Sequence, residues 1–187
     1  MNYIYRAAEN TVKKHGTRNP FELLQSMGVM VRFSYDYDPN GLKGFSTIQN
    51  RIMFVVINGN LSEDEKRIVA GHEAAHLILH KAEILSSPAK THKDFTIYDN
   101  SGRLEYEANT FLSDFLLTDK DVADMICENN DFFACAVELC VPPQLLSFKL
   151  AGMMNRGFDV DLPIPLHSGF MRDDMKKCGN MNLVKKY

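Results

Sequence analysis

"GHEAAHLILH", residues 71–80, sets His72, Glu73, His76 and His80 among alanines, leucines and an isoleucine. With Ile68, Val69 and Ala70 before it, the stretch leaves almost no polar face and reads as a buried helix. Buried imidazoles and a buried carboxylate each need a strong partner. Residues four apart on a helix are rotated by only about 40° and rise by about 6 Å, so His72 and His76 aim at one common atom. Glu73, about 100° round, lies beside that atom rather than on it. This is the H-E-x-x-H zinc arrangement, in which two histidines bind and the glutamate acts on water. A chance pattern on a core helix, satisfied by hydrogen bonds, is the plainer alternative, but one divalent cation answers all three buried groups together. His80, about 80° round from His72, reads as a supporting or capping group rather than a ligand.

A catalytic zinc takes three protein ligands and leaves a position for water. The next long helical pattern, "RLEYEANTFLSDFLL" from Arg103, offers Glu105, Glu107 and Asp114. On the helical wheel Leu112 and Leu116 flank Glu105, which places it inside the apolar arc. Glu107 falls with Asp114 on the opposite edge, where water is expected to reach. Glu105 is therefore the candidate third ligand, and Asn109, one turn on, can hold a ligand in place.

Outward from these two helices the chain reads as α+β. Residues 3–14 have helical periodicity ended by Gly16, and Pro20 opens a short helix stopped by Gly28. "VMVRFSY" alternates like a strand, "DPNG" at 38–41 is a turn, and "GFSTIQNRIMFVVIN" reads as a hairpin. Ser62 and Glu65 form a capping box, so a helix is expected from there to about Lys81. Residues 82–101 read as a long connection of the kind that serves as a lid or flexible segment. Two or three short helices follow between Asp119 and Met154. The expected division is a domain over 1–157 and an irregular tail over 158–187.

Composition narrows the class. The chain has 187 residues, 45% of them hydrophobic and 24% charged, as in an ordinary globular protein. A formal charge of −3 disfavours a nucleic-acid surface. There is no signal-peptide pattern at the start and no apolar run of membrane-spanning length. Cys127, Cys135, Cys140 and Cys178 lack a Cys-x2-Cys pair and read as reduced, partly buried thiols, which points to the cytoplasm. "FACAVELCVPPQLLSFKLAGM" has a helix-turn-helix rhythm, but its second helix offers bases only Gln144, Ser147 and Lys149. It reads as packing scaffold, with Cys135 and Cys140 in the core.

"NPFELLQSMGVMV", "IMFVVINGNLSEDEKRIVAGHEAAHLILH" and "LEYEANTFLSDFLL", in this order and spacing, resemble the ImmA/IrrE family of zinc metallopeptidases from about residue 18 to 155. The resemblance implies His72, His76 and Glu105 as ligands, Glu73 as the catalytic glutamate, and a gluzincin-like core. It further implies site-specific cleavage of a helix-turn-helix repressor, which derepresses mobile-element, prophage or stress genes. Two positions depart from the family pattern: Leu112 replaces the usual Ala, and Thr118 the usual Pro. With one helix before Asn19, the chain is similar to short forms that lack an N-terminal helix-turn-helix domain.

The expected fold is a small, mostly antiparallel sheet packed on the zinc helix, with a helical second half. An edge strand of the hairpin, around Ile48 to Ile57, is expected to pair with an extended substrate. Tyr98, His92 and Tyr106 all stand as candidates for stabilising the oxyanion. The rival class is a non-cleaving, metal-holding module that grips a repressor or senses zinc. Such a module has no need of Glu73, which is present here.

Overall fold

The computed structural model describes residues 2–87, 91–94, 102–128 and 131–160. Helix α1 (Asn2–His15) ends at Gly16, whose φ of +70° suits a residue without a Cβ. Helix α2 (Pro20–Ser26) starts under an Asn19 cap, with Pro20 in the first turn. Three strands follow: β1 (Met30–Ser34), β2 (Gly44–Gln49) and β3 (Ile52–Asn58). The β2–β3 hairpin turns at Asn50 and Arg51, both at positive φ as in the two-residue turns that match strand twist.

The sheet order is β1-β3-β2-β4, where β4 spans Thr91–Asp94. β1 pairs parallel to β3, while β2 is antiparallel to both β3 and β4. Both hairpin strands are thus interior, and the edges are β1 and β4. This corrects the expectation that the hairpin offers a free edge to substrate. "IMFVVI" is apolar because it is flanked on both sides: Val55 and Ile57 turn into the core, while Phe54 and Val56 on the outer face are only half-covered.

Helix α3 (Glu63–Leu79) packs across the inner face of the sheet. Its capping box is complete: Ser62 Oγ accepts from the Glu65 amide, and the Glu65 carboxylate accepts from the Ser62 amide. The helix stops at Leu79 because His80 leaves helical geometry, with φ −118° and ψ +25°. A short helix α4 (Lys81–Ser86) follows, anchored by buried Ile84. The stretch 82–101 is therefore not one long connection: it contributes α4 and the edge strand β4. Apolar "IL" at 84–85 and backbone pairing along β2 supply what its polar composition concealed.

Helix α5 (Arg103–Leu116) is walled by α1, by α3 and by α8 (Pro143–Asn155), the last reached through α6 (Asp119–Glu128) and α7 (Phe132–Glu138). With three helical neighbours it leaves only Arg103 exposed, and Glu107 and Asp114 are 8% and 1% exposed. The wheel's polar face is real, but it faces protein. Asp114 meets Lys149 Nζ at 2.9 Å, and Arg18 donates to the last-turn carbonyls of Asp114 and Phe115. α7 and α8 bend by 103°, and of the three polar side chains read for base contact Ser147 and Lys149 are buried while Gln144 is exposed. Cys135 is buried as expected, and its burial pushes the thiol pKa up. Cys140 is exposed in the turn at φ +52°, against the expectation of a core thiol. No single helix among the described residues is long and apolar enough to cross a membrane. Of the tail read over 158–187, residues 161–187 lie outside the described residues, as does Cys178.

Candidate metal centre

Two close approaches set up the site. At Gly71 a Cβ would fall 2.4 Å from Leu112 Cδ1 and 3.3 Å from Pro20 Cγ, so α3 meets α5 and α2 only because no side chain stands there. At Gly44 a Cβ would fall 2.5 Å from Val69 Cγ1 and 3.2 Å from Glu73 Oε1. The first residue of β2 thus lies against the Glu73 carboxylate. Both glycines escaped the sequence reading, although a glycine opening a strand is a signal of close backbone approach.

Within this frame the structure brings His72, His76 and Glu105 together, with one ligand atom of each within 4.8 Å of the others. His72 Nε2 lies 3.1 Å from His76 Nε2 and 3.1 Å from Glu105 Oε2, and His76 Nε2 lies 3.4 Å from Glu105 Oε1. Both imidazoles are buried, while the Glu105 side chain keeps 14% exposure. Glu73 is fully buried beside them but is not one of the three converging groups.

The outer contacts decide which ring nitrogens carry protons. His72 Nδ1 lies 3.1 Å from Asn109 Oδ1, an acceptor, so Nδ1 carries the hydrogen and Nε2 presents its lone pair. His76 Nδ1 lies 3.0 Å from His80 Nδ1, and His80 Nε2 lies 3.0 Å from Glu107 Oε2. With Glu107 accepting from Nε2–H of His80, Nδ1 of His80 accepts from His76 Nδ1–H. His76 Nε2 then also presents its lone pair. Two nitrogen lone pairs and a carboxylate facing one another repel unless a cation sits between them. The residues present fit a divalent metal.

Glu107, like Asp114, was expected at a water-facing edge and is buried instead. It is buried against His80, and Arg103 Nη1 donates to its Oε1 at 2.9 Å. Burial alone would raise its pKa; hydrogen bonds from Tyr3, His80 and Arg103 outweigh that and leave it lowered. Tyr3, desolvated against the same carboxylate, is pushed up to about 12. Of the three candidates for oxyanion stabilisation, Tyr98 and the side chain of His92 lie outside the described residues. Tyr106 sets its ring 5.9 Å from that of Phe148 on α8.

A sheet-backed helix carrying two convergent histidines, completed by a carboxylate from a second helix, defines a metallopeptidase-like domain. The model of the IrrE N-terminal-like domain, a peptidase family, matches residues 24–151, and the chain belongs to that family. An uncharacterized immunity region protein 2 of Bacillus phage phi105 is 30% identical over 149 residues, covering 78% of this chain and 88% of the relative.

Proposed function

We propose that this chain is a zinc-dependent metallo-endopeptidase of the cytoplasm whose substrate is a helix-turn-helix repressor, so that cleavage derepresses mobile-element, prophage or stress genes. The observation that carries the hydrolase reading is the convergence of two imidazole nitrogens and a carboxylate, with buried Glu73 next in sequence to His72. Two imidazoles and one carboxylate are a donor set suited to zinc. His72, His76 and Glu105 would hold the ion. Bound zinc supplies Lewis acidity, which activates water at neutral pH and polarises a peptide carbonyl. Glu73 takes the proton of the attacking water and delivers it to the leaving amine nitrogen. The close approach of Gly44 limits the rotamers of the Glu73 carboxylate. The repressor as substrate draws support from the likeness to a phage immunity region protein.

Glu73→Gln tests the assignment. It keeps the side chain's shape and removes the base, so zinc content by atomic emission should stay at one equivalent while cleavage of a co-expressed repressor falls by at least about 100-fold. Undiminished cleavage by this variant would refute the mechanism. A wild-type protein that holds zinc and binds a repressor without cutting it would leave the non-cleaving module as the correct reading.

A further inference from the structure

A line of four side chains leads away from His76 to the surface, and none of them touches the three converging ligand atoms. His80 comes from the break after α3, Glu107 and Arg103 from the first turns of α5, and Tyr3 from the first turn of α1. His76 Nδ1 meets His80 Nδ1 at 3.0 Å, and His80 Nε2 meets Glu107 Oε2 at 3.0 Å. Glu107 Oε1 then accepts from Arg103 Nη1 at 2.9 Å, and the Tyr3 hydroxyl donates to the same carboxylate. Every partner of Glu107 is a donor, so the carboxylate accepts throughout, and the direction of each bond inward to His76 follows.

We propose that His80 and Glu107, braced by Arg103 and Tyr3, are positioning residues that lock His76 into the tautomer whose Nε2 faces the metal. Without an acceptor at His80 Nδ1, the proton of neutral His76 is free to move to Nε2, where it would point at His72 Nε2 and close the site. Asn109 does for His72 in one step what this chain does for His76 in two. His80 explains its own geometry on this account: leaving helical φ,ψ lets its ring turn back onto the turn before it. Tyr3 lies outside the 24–151 family match, so α1 adds to a site that the matched segment holds. Outer partners of metal-bound histidines commonly alter affinity by about 10–100-fold when removed.

The proposal rests on the metal reading, and its test separates the two. Zinc affinity of the full chain is measured by competition with a chromophoric chelator for the wild type, Glu107→Gln and His80→Ala. The ring-nitrogen shifts of 15N-histidine-labelled, zinc-loaded wild type give the tautomers of His76 and His80 with no variant needed. The expected result is binding by His76 through Nε2 with a proton on Nδ1, a proton on Nε2 of His80, and affinity about 10–100-fold weaker in both variants. Variants that bind zinc as the wild type does, or a His76 bound through Nδ1, would overturn the positioning chain and leave the metal reading standing. Should either variant fail to fold, the wild-type tautomers decide alone. A wild type that takes up no zinc would overturn the metal reading and this proposal with it.

Discussion

Glu105 and Glu107 stand two residues apart on one helix and meet different partners, because a step of two turns a side chain through about 200°. Glu105 reaches His72 Nε2 at 3.1 Å; Glu107 reaches His80. If Glu105 is a ligand, Glu105→Ala should lower zinc affinity more steeply than Glu107→Ala, and chelator competition orders the two directly. Gly44 is the other residue on which the site turns. In Gly44→Ala the new Cβ would meet Val69 Cγ1 at 2.5 Å, the Val56 carbonyl at 3.1 Å and Glu73 Oε1 at 3.2 Å. The Val56 carbonyl is strand backbone and cannot give way cheaply, so overpacking should cost about 1–3 kcal/mol in urea unfolding. On the proposed mechanism, peptidase activity should fall further than that loss of stability accounts for, because Glu73 Oε1 is crowded together with Val69 Cγ1. An active, fully stable Gly44→Ala protein would show that the strand does not hold Glu73 in place.

Among the elements, α3 carries the site and depends on how it starts. Ser62 Oγ accepts from the Glu65 amide and donates to Glu65 Oε2 at 2.8 Å, so Ser62→Ala removes one bond of the capping box and the hydroxyl bond beside it, and should cost about 1 kcal/mol at neutral pH. Hydrogen bonds from Ser62, foremost that of its backbone amide, hold the Glu65 pKa below the ordinary glutamate value. A carboxylate whose folded pKa is depressed contributes stability above its unfolded pKa and loses it as pH falls through the folded value. The penalty of Ser62→Ala should therefore shrink on acidification through that window. Urea midpoints at pH 7 and pH 3 for the wild type and the variant check it. α5 teaches a different lesson. Its polar positions followed the wheel, but Glu107 and Asp114 found partners on other helices instead of water.

At the scale of the molecule, one buried charge cluster ties four helices together. Lys149 of α8 is 1% exposed and meets Asp114 of α5 at 2.9 Å and Asp119 of α6 at 2.6 Å. Arg156 joins Asp119 at 2.6 Å, and its guanidinium lies 4.1 Å from the Tyr5 ring of α1. Burial raises the Asp114 pKa, and Lys149 opposes that rise. Lys149→Met leaves Asp114 with less compensation, so it should destabilise the protein by about 3–5 kcal/mol at pH 7. With its folded pKa raised further, Asp114 favours the folded state in its protonated form, a contribution present at low pH and lost as pH rises through the folded value. The variant should therefore recover part of its deficit at pH 5. Denaturant titrations at the two pH values measure it, and a deficit unchanged with pH would mean that Asp114 is compensated by other groups.

The sequence by itself determined what depends on short spacing. The i,i+4 histidines, the Ser62–Glu65 box, the Asn19–Pro20 start and the Gly16 and Gly28 stops all lie within a turn or two, where backbone geometry leaves little choice. The wheel set Glu105 and Glu107 on different faces, but the difference in cover it implied is absent, with the two side chains 14% and 11% exposed. Tertiary structure decided what depends on neighbours distant in the chain. Whether a polar helix face meets water or another helix is invisible to a period of 3.6, so Glu107 and Asp114 were misplaced. Strand order is equally nonlocal: β1 joins β3 rather than β2, and β4 adds to β2 through backbone groups that every residue carries. His80 spans both cases. Its offset from His72 set it apart from the expected ligand pair, but only the packing of α5 against α3 brought Glu107 to its far nitrogen.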